Sequence, residues 1–209
     1  VSDADDLLLG LFPLGIVLLP GEVVPLHIFE ERYKTLIGER LEGGAFGIVL
    51  AGEDSVRECG TSARVAQLIE ELDDGRMNVL VQGERRFRIV EIREPDDPER
   101  DYLRAEVEFY RDAEPEAAPA LRDAVLEVFG KVLALMEVEG PQEPVGEGPL
   151  SFRVAAAVDF GAPLKQELLE SLSEEQRLET LLTVMTSLLP RLELRKERQE
   201  AIRGNGKGY

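Results

Sequence analysis

LFPLGIVLLPGEVVPLHIFEERY, residues 11–33, decides the reading of the fold. Two apolar runs within it, residues 16–19 and 23–26, are short, rich in β-branched side chains and bounded by Pro13, Pro20, Gly21 and Pro25. That combination predicts buried strands joined by tight turns. After Phe29 the period changes. Tyr33, Leu36, Ile37 and Leu41 recur at helical spacing, with Glu30 and Glu31 in the first turn, where the helix dipole favours negative charge. The stretch reads as a strand, turn, strand, helix unit.

Outward from it, Gly43 and Gly44 are expected to stop the helix, and residues 45–51 return to a strand pattern. Gly38 falls inside the expected helix and weakens it by ~1 kcal/mol relative to alanine. Residues 60–92 predict a long hairpin with arms at 61–72 and 76–92, joined by Asp73, Asp74 and Gly75, whose glycine suits a three-residue loop with a bulge. Val79 and Val81 alternate with polar neighbours, as do Phe87 and Ile89. Gly83 interrupts the second arm and predicts a bulge or bend that lets the arm serve two sides of a barrel. Residues 94–101 form an acidic, proline-bearing loop, and 102–111 a further strand with Leu103, Ala105, Val107 and Phe109 on one side.

Beyond this point every periodic segment is helical. Residues 112–119 are a Pro, Ala and Glu linker, expected to be solvent-accessible, and 119–139 carry helical spacing through Leu121, Val125, Val128, Phe129, Val132, Leu135 and Met136. Residues 140–149 predict a second flexible stretch, 150–160 a short helix ended by Gly161, and 163–171 another with Pro163 in its first turn. Ser173 and Gln176 form a capping-box pattern that launches Leu178, Leu181, Leu182, Met185, Leu188, Leu189 and Leu192 along one face, with a kink or break expected at Pro190. Residues 204–209 read as a frayed end. Strands first and helices after give an α+β fold class.

Several of these residues carry a resemblance to a known family. The stretches Phe12-Pro13-Leu14, Leu19-Pro20-Gly21 and Pro25-Leu26-His27-Ile28-Phe29-Glu30-Glu31-Arg32-Tyr33 resemble the opening signature of the Lon protease N-terminal domain, the substrate-recognition domain of that ATP-dependent protease. Gly60-Thr61, Asp74-Gly75 and Gly83-Glu84-Arg85-Arg86-Phe87 match its hairpin, and Ala155, Lys165-Gln166, Leu168-Leu169-Glu170 and Arg177-Leu178 its helical half. The resemblance spans about residues 9–200. It implies a β-rich, PUA-like pseudo-barrel with one helix, followed by a C-terminal helical bundle, with subdomains at 1–112 and 113–209.

Composition narrows the function classes. At 209 residues, 44% apolar and 32% charged, the chain is neither disordered nor membrane-spanning by composition. No apolar run approaches the ~20 residues that cross a bilayer, the first residues are acidic where a signal peptide is basic, and the single Cys59 forms no internal disulfide. A cytoplasmic location follows as an expectation. The net charge of −18 argues against nucleic acid as a partner, because phosphate binding depends on a cationic surface.

Candidate chemistry is sparse. No phosphate-binding Gly-x-x-x-x-Gly-Lys-Ser/Thr loop occurs, and 209 residues leave no room for the ATPase and serine-lysine peptidase that follow this domain in full Lon proteases. His27, the single histidine, reads as a packed or hydrogen-bonded junction residue. Cys59 reads as an ordinary small residue, and Ser173 as a helix cap in preference to a dyad of Ser171 or Ser173 with Lys165. The pairs Asp73, Asp74 and Asp96, Asp97 read as solvated turn residues. Metal, nucleotide and other cofactors are not expected.

Arg85-Arg86-Phe87-Arg88 is the one local cationic cluster, read either as a contact for an acidic or C-terminal peptide segment or as ion-paired with neighbouring glutamates. Arg85 and Arg86, with Phe29, Tyr33, Phe46 and Phe87 from the motif stretches, make up the candidate peptide-binding set, placed in a groove between barrel and bundle. The functional expectation is a non-catalytic domain that binds unfolded or specific polypeptides. The alternatives are an adaptor docking on a separate ATP-dependent protease or ATPase, and an unrecognised hydrolase.

Overall fold

The computed structural model describes residues 7–205 except 54, 96, 99 and 138–143. The expectations for residues 140–143, for Asp96 and for the last four residues lie outside the described ones. In chain order the elements are β1 (Leu8–Leu14), β2 (Val23–Ile28), α1 (Glu31–Gly38), β3 (Phe46–Ala51), β4 (Val56–Glu71), β5 (Met77–Arg93), β6 (Arg104–Phe109), α2 (Pro119–Met136), α3 (Leu150–Ala157), α4 (Ala162–Glu170) and α5 (Glu174–Asn205). The fold is α+β. No described helix is long and apolar enough to cross a membrane.

Strand order is β2-β5-β4-β3-β1-β6, and β5 also pairs with β6, so the pairing of β1, β3, β4, β5 and β6 closes on itself with β2 flanking β5. β5 achieves this by changing partners along its length. Its residues 77–82 pair with β2, while 87–93 pair with β6. Gly83 lies between these two stretches. A Cβ there would stand 2.3 Å from the Leu19 carbonyl oxygen, and the Gly83 backbone exchanges hydrogen bonds of 2.9 Å with Gly21 and Glu22. The glycine is needed for close backbone approach. At the hairpin tip Gly75 has φ +78°, the left-handed conformation the three-residue loop requires.

The opening stretch departs from its reading in three places. The first strand is Leu8–Leu14, not 16–19. It runs through Pro13 because β1 leaves β6 after Gly10 and thereafter pairs with β3 alone, which frees one edge where a missing N–H does no harm. Residues 17–19 are buried without joining the sheet, and side chains satisfy their backbone instead: Thr61 Oγ1 donates to the Leu18 carbonyl at 2.6 Å and the Leu19 N–H donates to Glu22 at 2.9 Å. β2 is half-buried, with only Ile28 fully covered. Gly38 is the last residue of α1, not an interior one.

Two compact units emerge. The first runs to Arg111 and takes in Gly146–Gly148 and Val158–Glu170, so α4 belongs with the strands; the second comprises Asp112–Val145, Pro149–Ala157 and the chain from Ser171. In the first unit Phe12, Ile28, Leu36, Phe46, Val79 and Val81 share one buried cluster, and Leu9, Leu11, Val49, Phe87, Ala105 and Val107 another.

In the second unit the apolar faces of α2, α3 and α5 bury Val125, Phe129, Phe152, Val154, Leu178 and Leu181. Arg177 is buried at its centre. Its guanidinium donates to Asp112 at 2.6 and 2.9 Å, to Glu174 at 2.7 Å, to Ser151 Oγ at 2.8 Å and to the Ser171 carbonyl at 2.9 Å. Residues 112–114 are therefore not a loose linker: the Ala113 and Glu114 N–H groups also donate to the Leu172 carbonyl, and Ser173 Oγ donates to Glu114 at 2.9 Å. Ser173 caps α5 through the Gln176 N–H, as its motif predicts. The helix continues through Pro190 without a break. Thr186 and Pro190 are both exposed, so the carbonyl that loses its donor faces water.

Candidate functional site

β2 stands at the end of the strand order and pairs with β5 alone. Val24, Leu26 and Ile28 lie opposite Val81, Val79 and Met77 toward the core, which turns Val23, Pro25 and His27 outward, opposite Gln82, Leu80 and Asn78. Phe29 continues the outward row just past the strand and is 61% exposed; Val23 is 49% exposed. No residue of β2 is charged. The result is an uncharged, largely apolar row four positions long on a chain of net charge −18.

A polar chain crosses this face. Glu70 on β4, Asn78 on β5 and His27 on β2 stand in register across three strands. Asn78 Nδ2 donates to Glu70 at 3.0 Å, and Asn78 Oδ1 lies 2.7 Å from His27 Nδ1. The His27 ring stacks near Phe29, with centroids 6.0 Å apart and planes at 24°. His27 is thus hydrogen-bonded at a junction of strands.

The six residues expected to contact peptide divide sharply. Phe29 is exposed, and so is Arg85, whose guanidinium lies 3.7 Å above the Phe109 ring centroid. Phe46 and Phe87 are fully buried, and Tyr33 packs against Phe12 at 4.2 Å between centroids; no ligand reaches these three rings at the surface. Arg86 is buried too. Its Nη1 donates to the Leu169 carbonyl at 2.9 Å, and the guanidinium lies 4.8 Å from the Tyr110 ring centroid. Val23, Pro25, Leu80, Asn78 and Glu70 were not singled out by sequence, although the alternation of 23, 25, 27 and 29 was there to be read.

Several groups with nucleophilic or acid-base potential are engaged in packing, pairing or capping. Cys59 Sγ meets the Tyr110 hydroxyl, which donates to the Leu169 carbonyl at 3.1 Å. Burial pushes the Cys59 thiol above its ordinary range, which keeps it protonated and unreactive. Burial, reinforced by the thiol, likewise raises the Tyr110 phenol. Lys165 pairs with Glu22 at 2.5 Å, and Ser173 caps α5. Asp74 sits in the hairpin loop and binds Arg76 at 2.7 Å.

Together these elements define an α+β domain whose strands precede all but one of its helices. A family model described as the ATP-dependent protease La (LON) substrate-binding domain matches residues 9–187, and the chain belongs to that family. Among curated relatives, the Lon protease of Brucella suis biovar 1 (strain 1330) is 31% identical over 208 residues, covering 91% of this chain and 25% of that protein. The Lon protease of Cytophaga hutchinsonii is 28% identical over 203 residues, covering 88% and 24%. The chain therefore spans about a quarter of the length of the curated relatives it matches. The crystal structure of a Lon N-terminal domain protein from Xanthomonas campestris aligns with a TM-score of 0.66 at 27% identity, covering 84% of this chain and 97% of that one. The N-terminal domain of a Mycobacterium avium complex Lon protease gives 0.65 at 20% identity, covering 86% and 98%, a likeness of fold alone.

Proposed function

We propose that this chain recognises exposed apolar segments of polypeptides, without chemistry of its own, and that the outward row of β2 makes the contact. The observation that carries the reading is the row Val23, Pro25, His27 and Phe29, uncharged and exposed, in a chain of the substrate-binding family. Cys59, Lys165 and Ser173, the residues with catalytic potential, are each engaged in packing, pairing or capping, which supports a binding role. In this reading the closed circuit of strands is the PUA-like pseudo-barrel and the later helices the bundle that the resemblance implies.

Side chains, not edge hydrogen bonds, supply the affinity. Pro25 deprives the free edge of β2 of an N–H in the middle of the strand, so an added strand would pair poorly there. Covering a fully exposed Phe contributes about 1.5–3 kcal/mol. Affinity for a reduced, denatured model protein, measured at low and at high salt, tests the proposal. Binding retained at high salt supports it, because exposed ion pairs are screened within ~10 Å at 0.1 M and apolar burial is not. Failure to bind any unfolded chain, with salt-sensitive capture of a native protein, would establish the adaptor reading instead.

A further inference from the structure

The strands beneath the β2 row dictate the protonation geometry of its one titratable side chain. An ionised carboxylate only accepts hydrogen bonds, so the Asn78 atom 3.0 Å from Glu70 Oε2 is the amide nitrogen. The Asn78 oxygen, an acceptor only, is then the atom that faces His27 Nδ1 at 2.7 Å. Nδ1 must carry the proton, and the neutral ring keeps its lone pair on Nε2. Among the described residues no hydrogen bond reaches Nε2, and the side chain is exposed beside Phe29.

We infer that His27 is a specificity-determining contact of this surface, its Nε2 accepting a hydrogen bond from a backbone N–H of the bound polypeptide. This rests on the polypeptide-binding reading of the same row. An apolar segment offers main-chain N–H groups as its only strong donors, and an N–H pressed against Val23, Pro25 and Phe29 loses its water and is left unsatisfied unless an acceptor meets it. His27 Nε2 is placed between those side chains to do so.

Protonation changes only the outward atom. The Nδ1–H bond to Asn78 and the link to Glu70 survive it, while Nε2 turns from acceptor to donor. The groups facing the ring are few: Glu70 reaches it from β4 through Asn78, β5 contributes the neutral Asn78, β2 carries no charge, and Glu30 beyond Phe29 is paired with Arg32 at 2.7 Å. Binding should therefore weaken toward acid.

The test uses a peptide of leucine, alanine and glycine, acetylated and amidated so that it has no ionisable group and no side-chain donor. Its affinity is measured at about pH 5 and about pH 8, the window in which histidine changes charge. The unsubstituted protein should bind about fivefold more weakly at the lower pH, the factor a single net hydrogen bond supplies. His27→Phe should bind about fivefold more weakly at the higher pH and show no pH dependence; His27→Gln, which keeps an acceptor, should restore most of the affinity. Nitrogen-15 NMR of the single histidine should show the Nδ1–H tautomer in the free protein. An Nε2–H tautomer, or His27→Phe binding as well as the unsubstituted protein at both pH values, overturns the assignment while leaving the polypeptide reading intact. No peptide binding by the unsubstituted protein at either pH overturns both.

Discussion

Arg86 Nη1 donates to the Leu169 carbonyl oxygen across 2.9 Å, and this contact ties β5 to the last turn of α4. The final carbonyls of a helix have no partner within it, and the negative end of its dipole attracts a cation. The adjacent arginines thus have different duties. Arg86→Ala should destabilise the fold by about 1.5–3 kcal/mol, the range for a hydrogen bond to a charged group, whereas Arg85→Ala should stay within about 1 kcal/mol, the range of an exposed cation-π contact. Urea titrations of the two variants measure this; equal losses would contradict it.

Arg177 is the buried hub of the second unit, and its removal would take from Asp112 and Glu174 the guanidinium that both accept from. Arg177→Met should lose about 3–5 kcal/mol. Adding Asp112→Asn and Glu174→Gln to that variant should recover part of the loss, since the two carboxylate charges that faced the guanidinium go too. Chemical denaturation of the single and triple variants reads the difference, and a triple variant weaker than the single one would show that hydrogen bonding, not buried charge, dominates.

Gly75 and Gly83 should fail for different reasons. Gly75 has φ +78° with nothing closer than 3.8 Å to a new Cβ, so Gly75→Val pays for the left-handed backbone alone, about 1–2 kcal/mol. Gly83→Ala meets the Leu19 carbonyl at 2.3 Å and should cost about 1–3 kcal/mol by overpacking. Thermal melts distinguish them if Gly75→Asn, which tolerates that conformation, is nearly neutral while no residue larger than glycine is accepted at 83.

Glu39 gives the native state a defined acid sensitivity. Burial opposes its ionisation, but hydrogen bonds from Tyr102 and Arg100, both 2.7 Å, outweigh it and hold the carboxyl below its ordinary range. A carboxylate lowered in the folded state stabilises above its unfolded pKa, and that contribution disappears as pH falls through the folded value. Glu39→Gln should therefore be less stable than the unsubstituted protein at neutral pH, with the gap closing below about pH 4. A gap that persists unchanged to lower pH would contradict the shift.

Much of the fold could be read from local pattern. The Asp73, Asp74, Gly75 loop, the alternation through Val79 and Val81, and the Ser173 cap each follow from chemistry confined to a few neighbours. Residues 16–19 misled because burial and β-branching do not distinguish a strand from a buried loop whose backbone is satisfied by Thr61 and Glu22, partners distant or hidden in sequence. The burial of Arg86 and Arg177 was equally illegible, since arginine beside Glu84 or Glu174 reads as a solvated surface until the tertiary partners Leu169 and Asp112 are known. On the candidate surface, sequence singles out Phe29 but not its neighbours: the 23–26 run reads as buried, and only the pairing of β2 with β5 alone shows which of its faces is open.

Photo-crosslinking tests the central claim, that unfolded polypeptide is held on the outer row of β2. p-Benzoylphenylalanine placed at Phe29 is compared with the same group at Val90, an apolar position on β5 that is 64% exposed and outside the row. The account predicts crosslinks to a reduced, denatured protein from position 29, suppressed by excess uncharged apolar peptide, and little yield from position 90. Equal yields from both positions, or capture from position 90 alone, would contradict it.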